Sequence, residues 1–260
     1  MSDLPPTSPD GGSRPASLEE LRELMGDCRR CALGATRTRL VFGVGDPHAR
    51  LMLVGEAPGK NEDLQGEPFV GAAGKGLDRL LAGIGLTRDR IYIANVLKSR
   101  PPGNRDPLPA EIEACTPFLR EQIRLVDPVV IATLGNFATR FMLGRTEGIT
   151  RLRGRLFGVE GRLVVPIFHP AVALYDPKKS EVLDEDFRRL AAVLARVESG
   201  ELTVGDAESP DGAGGFEATV RAPVPAGEPD RGLVPGAPEA GGPPSSRDPE
   251  QAALDLGDLG

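Results

Sequence analysis

The stretch ARLMLVGEAPG, residues 49–59, decides the fold. Leu51, Met52, Leu53 and Val54 form an apolar run with no polar alternation, which implies a strand covered on both faces. Gly55, Pro58 and Gly59 end the run too soon for a buried helix. The pattern recurs in RIYIANVLK (90–98), PVVIATLGN (128–136) and RLVVPIFHP (162–170). Amphipathic stretches lie between and after these runs: GKGLDRLLAGIGL (74–86), PAEIEACTPFLREQIRLV (109–126), FATRFMLG (137–144) and DEDFRRLAAVLARV (184–197). Strands alternating with helices imply α/β architecture, a three-layer α/β/α sandwich around a parallel sheet. Function in such sheets gathers beyond the carboxyl ends of the strands. Those ends are GEAPG (55–59), NVLKSRPPGNR (95–105), LGN (134–136) and HPA (169–171).

Outward from that alternation, residues 17–200 form one expected domain. It opens on SLEELRELMGDC (17–28), where Ser17 and Glu20 predict a capping box and Leu18, Leu21 and Met25 an apolar stripe. Residues 1–16 and 201–260 are rich in Pro, Gly and Ser without apolar periodicity, the composition of a disordered arm and tail. The chain of 260 residues is 40% hydrophobic and 27% charged, ordinary for one globular domain. Three cysteines are too few for a disulfide scaffold, and no signal-peptide pattern or apolar run of roughly 18 residues is present, so a soluble cytoplasmic protein is expected. The net charge of −7 argues against nucleic acid only on average. Residues 201–260 hold twelve Asp and Glu against three Arg, a net of −9, which leaves +2 on residues 1–200.

The glycine-rich GEAPGKNEDLQGEPFVGAAGKG (55–76) is no P-loop, because Phe69 and Gly76 stand where that motif needs Gly and Ser or Thr. The glycines, Gly55 first, suggest backbone close to a flat or anionic ligand. Phe69 reads either as a stacking platform or as core. Asn95 ends a strand with an amide suited to a base edge. Lys98, Arg100 and Arg105 follow it, as a phosphate-binding loop or as a solvated one. His169 at a strand end before Pro170 reads as an acid or electrophile, or as structural; His48 reads as exposed. DCRRC (27–31) sets Cys28 and Cys31 at C-x-x-C spacing, with Cys115 the remaining cysteine.

Taken in order, C-x-x-C after a first helix, GEAPG, GEPFVG (66–71), NVLKSRPPGNRDP (95–107), a cysteine in the next helix and HPA resemble family 4 uracil-DNA glycosylases, the iron-sulfur branch of the superfamily. The resemblance covers about residues 18–198. It implies a central four-stranded parallel sheet and an enzyme that flips uracil out of DNA into a pocket. Phe69 would stack on the flipped ring, Asn95 read its amide edge, and His169 hydrogen-bond the charge developing on the leaving uracil. Ala57 stands where the best-known branch has a water-positioning Asp, which leaves Glu56 or Glu62 to orient water. No lysine in these motifs matches a Schiff-base nucleophile, so the expected product is an abasic site. Tyr175, with Lys178 and Lys179 after it, stands where family members carry a DNA-wedging Arg. A DNA-binding or damage-sensing protein with weakened catalysis is the rival reading, kept open by Ala57 and Ser99.

The family holds a 4Fe-4S cluster on four cysteines, and this chain supplies Cys28, Cys31 and Cys115 at three of those positions and Ser99 at the fourth. Serine is a harder ligand than thiolate. The resemblance therefore leaves three outcomes, a cluster with a Ser99 oxygen ligand, a labile three-cysteine cluster or none, of which a bound cluster is expected. Gln251, Leu254 and Leu256 (residues 251–256) resemble a sliding-clamp binding peptide. Expected partners are uracil-containing single- or double-stranded DNA and a clamp, with a monomeric protein near the nucleoid.

Overall fold

The computed structural model describes residues 14–209. Helix α1 (Leu18–Met25) leads through a loop into strand β1 (Val44–Gly45) and then β2 (Leu51–Gly55). Helices α2 (Lys60–Gln65) and α3 (Ala72–Ala82) precede β3 (Tyr92–Asn95). Next come α4 (Pro109–Val126), β4 (Val130–Leu134), α5 (Asn136–Leu143) and α6 (Ile149–Leu152). The hairpin of β5 (Phe157–Val159) and β6 (Arg162–Ile167) is followed by α7 (Val172–Tyr175) and α8 (Lys178–Glu198).

The sheet order is β1-β3-β2-β4-β6-β5. The four central strands are parallel, as expected, and β1 and β5 add antiparallel edges that make the sheet six-stranded. Those edges are two and three residues long, too short to carry a periodic signal. Pro166 is tolerated inside β6 because β5 reaches only to Val164, so no partner on that side needs its missing N–H.

The period-two geometry of β2 makes the three layers. Leu51 and Leu53 pack with Leu77, Leu80 and Leu81 of α3 and with Leu183, Phe187 and Leu190 of α8. Met52 and Val54 pack on the other face with Ile112, Leu119 and Ile123 of α4 and Phe141 of α5. Each fully buried Leu or Phe contributes about 1.5–3 kcal/mol, so both faces of β2 are strongly specified. Leu21 and Met25 pin α1 onto Phe118 of α4. At the start of α1, Ser17 Oγ accepts from Glu20 N–H (3.1 Å), while Glu20 accepts from Ala16 N–H (2.7 Å) instead of closing the box on Ser17.

The domain runs further than residues 17–200. Arg14 pairs with Glu121 at 2.7 Å, Leu202 is buried against the α8 side of the core, and Glu208 N–H bonds to Leu156 O (2.9 Å) beside β5. The extension brings in Glu201, Asp206 and Glu208, so residues 1–209 net −1 instead of the +2 of residues 1–200. Residues 1–13 of the expected arm, the tail beyond 209 and the clamp peptide lie outside the described residues. No helix among the described residues is long and apolar enough to cross a membrane.

Candidate active site

The strand order switches sides at β2, with β3 on one side and β4 on the other, all three strands parallel. The crevice at the carboxyl ends of these strands is where an open α/β sheet binds ligands. A cavity of about 320 Å³ lies there, reached by Glu56 after β2, Asn95 of β3, Leu134 of β4 and His169 after β6.

Its deepest corner is set by register. Gly55 and Asn95 are direct partners in the β2–β3 ladder. A Cβ on Gly55 would stand 2.8 Å from Phe69 Cζ and overlap Asn95 Oδ1, so only glycine lets ring and amide meet. Asn95 is 3% exposed and Phe69 5%. Phe69 answers both sequence readings, since its ring joins the α3–α8 core and also lines the cavity. Its other neighbour is His169, with ring centroids 5.5 Å apart and 28° between planes. His169 Nδ1 accepts the Ala171 N–H (3.2 Å), so the neutral ring carries its proton on Nε2. The structure thus brings Gly55, Phe69, Asn95 and His169 into one corner.

The two glutamates differ. Glu56 is buried and lines the cavity. Glu62 also borders it, but its Oε1 accepts both Val70 N–H and Gly71 N–H at 2.9 Å, a clamp on the GEPFVG turn. Ala57 lines the cavity while packing against the α4 face of the core. The exposed Lys60 and Asn61 also border the cavity, and the sequence reading missed both. They follow GEAPG on the first turn of α2, where only the tertiary turn of the chain aims them inward.

The basic loop divides. Lys98 is no DNA contact: it is 1% exposed, with Nζ donating to Asn95 O (2.7 Å) and to Gln122 Oε1 (2.6 Å). Burial pulls its ammonium down to about 7, opposed by the Cys115 sulfur. The sequence showed a lysine among charged neighbours, and only packing turns it inward. Arg100 lines the cavity and bonds Asn104 Oδ1 (2.7 Å). Asn104, another cavity residue missed in the sequence, takes a left-handed φ of 54° and reads in PPGN as an ordinary turn residue. Arg105 reaches the cavity rim but forms a two-pronged ion pair with the buried Glu111 (2.6 and 2.9 Å). Burial pushes the Glu111 carboxyl up, and that pair with the Leu108 N–H more than offsets it, so Glu111 ends below its usual range.

VALYDPKK (172–179) spans α7, a break at Asp176 and Pro177, and the start of α8. Tyr175 ends α7, half exposed at the cavity mouth beside Leu174. Lys178 starts α8 on the surface, and Lys179 lies 5.0 Å over the Phe168 ring. His48 is exposed in the loop before β2.

On the α4 face, Cys31 and Cys115 share one apolar cluster. Burial pushes the Cys115 thiol up to about 11, with the Lys98 amide and ammonium opposing, and Cys31 and Cys28 raise it further. Ser99 is buried, and its Oγ accepts from Arg37 Nη1 (3.3 Å), which also bonds Cys28 O (2.6 Å). No three His, Cys, Asp or Glu among the described residues have the spacing of a single-ion site.

A family model described as the uracil DNA glycosylase superfamily matches residues 42–192, which include every strand and all the cavity residues. A type-4 uracil-DNA glycosylase of Archaeoglobus fulgidus is 46% identical over 189 residues, 69% of this chain and 94% of that protein. Those of Sulfurisphaera tokodaii and Saccharolobus solfataricus are 44% and 42% identical, over 67% and 69% of this chain and 83% and 87% of theirs. With sheet, cavity and these matches in agreement, the chain belongs to the uracil-DNA glycosylase superfamily, alongside its type-4 members.

Proposed function

We propose that this protein repairs DNA as a monofunctional uracil-DNA glycosylase, hydrolysing the N-glycosidic bond of a flipped uracil and leaving an abasic site. The observation that carries the reading is the meeting of an aromatic face, an amide and a histidine in one cavity at the switch point of the sheet. A flipped pyrimidine stacks on Phe69 and pairs its amide edge with Asn95, whose donor and acceptor pattern suits uracil and opposes cytosine. As the bond to the sugar lengthens, charge grows on the uracil oxygens, and the His169 Nε2–H answers it. A donor of that kind contributes about 10²–10³ in rate. Glu56 is the better candidate for orienting water, since both turn amides already engage Glu62 Oε1. Leu174 and Tyr175 at the mouth suit the gap left in the duplex, with Lys178 near the phosphates.

The test is an oligonucleotide with one U, single-stranded or paired, incubated with the protein and then treated with alkali. Cleavage at U only after alkali, with no adduct trapped by borohydride, is the expected result. A trapped adduct would move the chemistry to Lys60 at the cavity mouth. Tight binding without cleavage would leave a damage sensor.

The same proposal includes a 4Fe-4S cluster held by Cys28, Cys31 and Cys115, with a Ser99 oxygen at the remaining position. The cysteines fit, since Cys31 and Cys115 share one apolar cluster and the Arg37 guanidinium joins the Cys28 carbonyl to Ser99. Ser99 fits less well, its oxygen already accepting from Arg37. When bound, such a cluster supplies a structural cross-link and no electrons to the hydrolysis. Arg37 already joins the Cys28 carbonyl to Ser99, so the loops meet without it. Anaerobically purified protein is expected to show iron and visible absorption that increase in Ser99→Cys; a colourless, iron-free protein that still removes uracil would exclude the cluster. Residues 251–256 are proposed to tether the enzyme to a sliding clamp. A peptide of residues 247–260 that does not bind the clamp at high micromolar concentration would exclude that. The reading also carries a monomeric protein in the cytoplasm, beside the nucleoid.

A further inference from the structure

Among the described non-glycine residues with positive φ, Phe69 (φ 55°) is the bulky one; the others are Asn104, Asp127 and Glu160. An aromatic residue in the left-handed region is a genuine outlier, and such outliers persist only where the surroundings over-determine them. The surroundings here are explicit. Arg88 Nη1 donates to Pro68 O (3.0 Å), Arg88 Nη2 donates to Phe69 O, and Arg88 Nε pairs with Asp78 Oδ1 (2.6 Å). Gly74 of α3 lies so close under the Phe69 carbonyl that a Cβ there would overlap it. Glu62 holds the next two amides, Val70 N–H and Gly71 N–H, at 2.9 Å. Carbonyls 68 and 69 and amides 70 and 71 are thus fixed by two side chains and one missing Cβ. Arg88 does not line the cavity.

We propose that Arg88, steered by Asp78, is a positioning residue that holds Phe69 in its left-handed conformation and so sets the ring between Gly55, Asn95 and His169. The inference rests on the uracil-glycosylase reading, in which that ring is the platform for the flipped base. A planar guanidinium suits the task because its fixed fork spans two successive carbonyls while Nε stays on the carboxylate; a lysine offers one point charge. Without the fork, Phe69 returns to negative φ and its ring leaves the corner. Uracil then loses its stacking partner, while Asn95 and His169 stay in place.

The experiment is a double-mutant cycle of Arg88→Ala and Phe69→Ala, reading kcat and KM on a U oligonucleotide and inhibition by free uracil, with Arg88→Lys as the conservative variant. Arg88→Ala is expected to lower kcat/KM about 10- to 100-fold and to weaken free uracil as an inhibitor. Arg88→Lys recovers part of the loss, and Arg88→Ala added to Phe69→Ala costs less than about twofold more, since the clamp acts through the ring. An equal loss in both backgrounds, or an equal loss of affinity for uracil-free DNA, would make Arg88 a structural or phosphate-contacting residue and overturn the proposal. If the wild type cleaves and Arg88→Ala matches it, the positioning role fails while the function stands. If the wild type does not cleave, the function fails, and the crystal structure of Arg88→Ala still decides the clamp: Phe69 φ remaining near +55° would refute it.

Discussion

Single atoms decide whether this cavity works. At Gly55 the added methyl of an alanine would overlap the Asn95 amide and press on Phe69. Gly55→Ala is therefore expected to lower kcat/KM about a hundredfold or more by displacing groups that must be aligned, with KM for U rising. Circular dichroism should show the fold retained, because β2 accepts an alanine backbone. Lys98 makes the opposite point, that a charged residue beside a site can serve it from inside. A surface phosphate contact removed by Lys98→Ala would leave stability unchanged and reduce the salt slope of DNA binding by about one. The buried position predicts about 2–4 kcal/mol of lost stability, from two acceptors left without a donor and the cavity left behind. Thermal unfolding separates the two outcomes. The sequence displayed Lys98, Arg100 and Arg105 as one basic group; burial, a turn and an ion pair give them three separate fates.

Elements show how far patterning reaches. The four apolar runs became the four parallel strands, and the helical patterns became α3, α4, α5 and α8, because long stretches with a single period leave one solution. Short elements escaped: β1 and β5, of two and three residues, exist by pairing with β3 and β6, and α7 is a single turn of four residues. The GEPFVG turn is the element on which the site depends, and Glu62 is its clamp. Glu62→Gln keeps an oxygen for both amides and should retain most activity, whereas Glu62→Ala frees the turn and should lower kcat/KM about 10- to 100-fold. If the glutamine variant is as damaged as the alanine variant, the carboxylate charge itself is needed, and Glu62 joins the chemistry.

The molecule as a whole, at −7, has no net positive charge with which to attract DNA. With residues 1–209 at −1, attraction must come from local cations near the cavity, and Arg105 is already partnered by Glu111. Binding to uracil-free DNA should therefore show a shallow salt dependence, a log–log slope of about −2 to −3, reduced by about one in Lys178→Ala. A slope much steeper than that would point to a further basic surface. The sequence by itself determined the layers, the parallel sheet, the strand ends where function gathers and the family, because periodicity and ordered motifs are local properties written residue by residue. It named Phe69, Asn95 and His169 as well. Only the tertiary structure decided that Lys98 turns inward, that Glu62 is tied to a turn, that Lys60, Asn61 and Asn104 border the cavity, and that Phe69 is held in a left-handed conformation by Arg88. Those outcomes depend on which side chains meet across long sequence separations, and packing, not local pattern, sets those meetings.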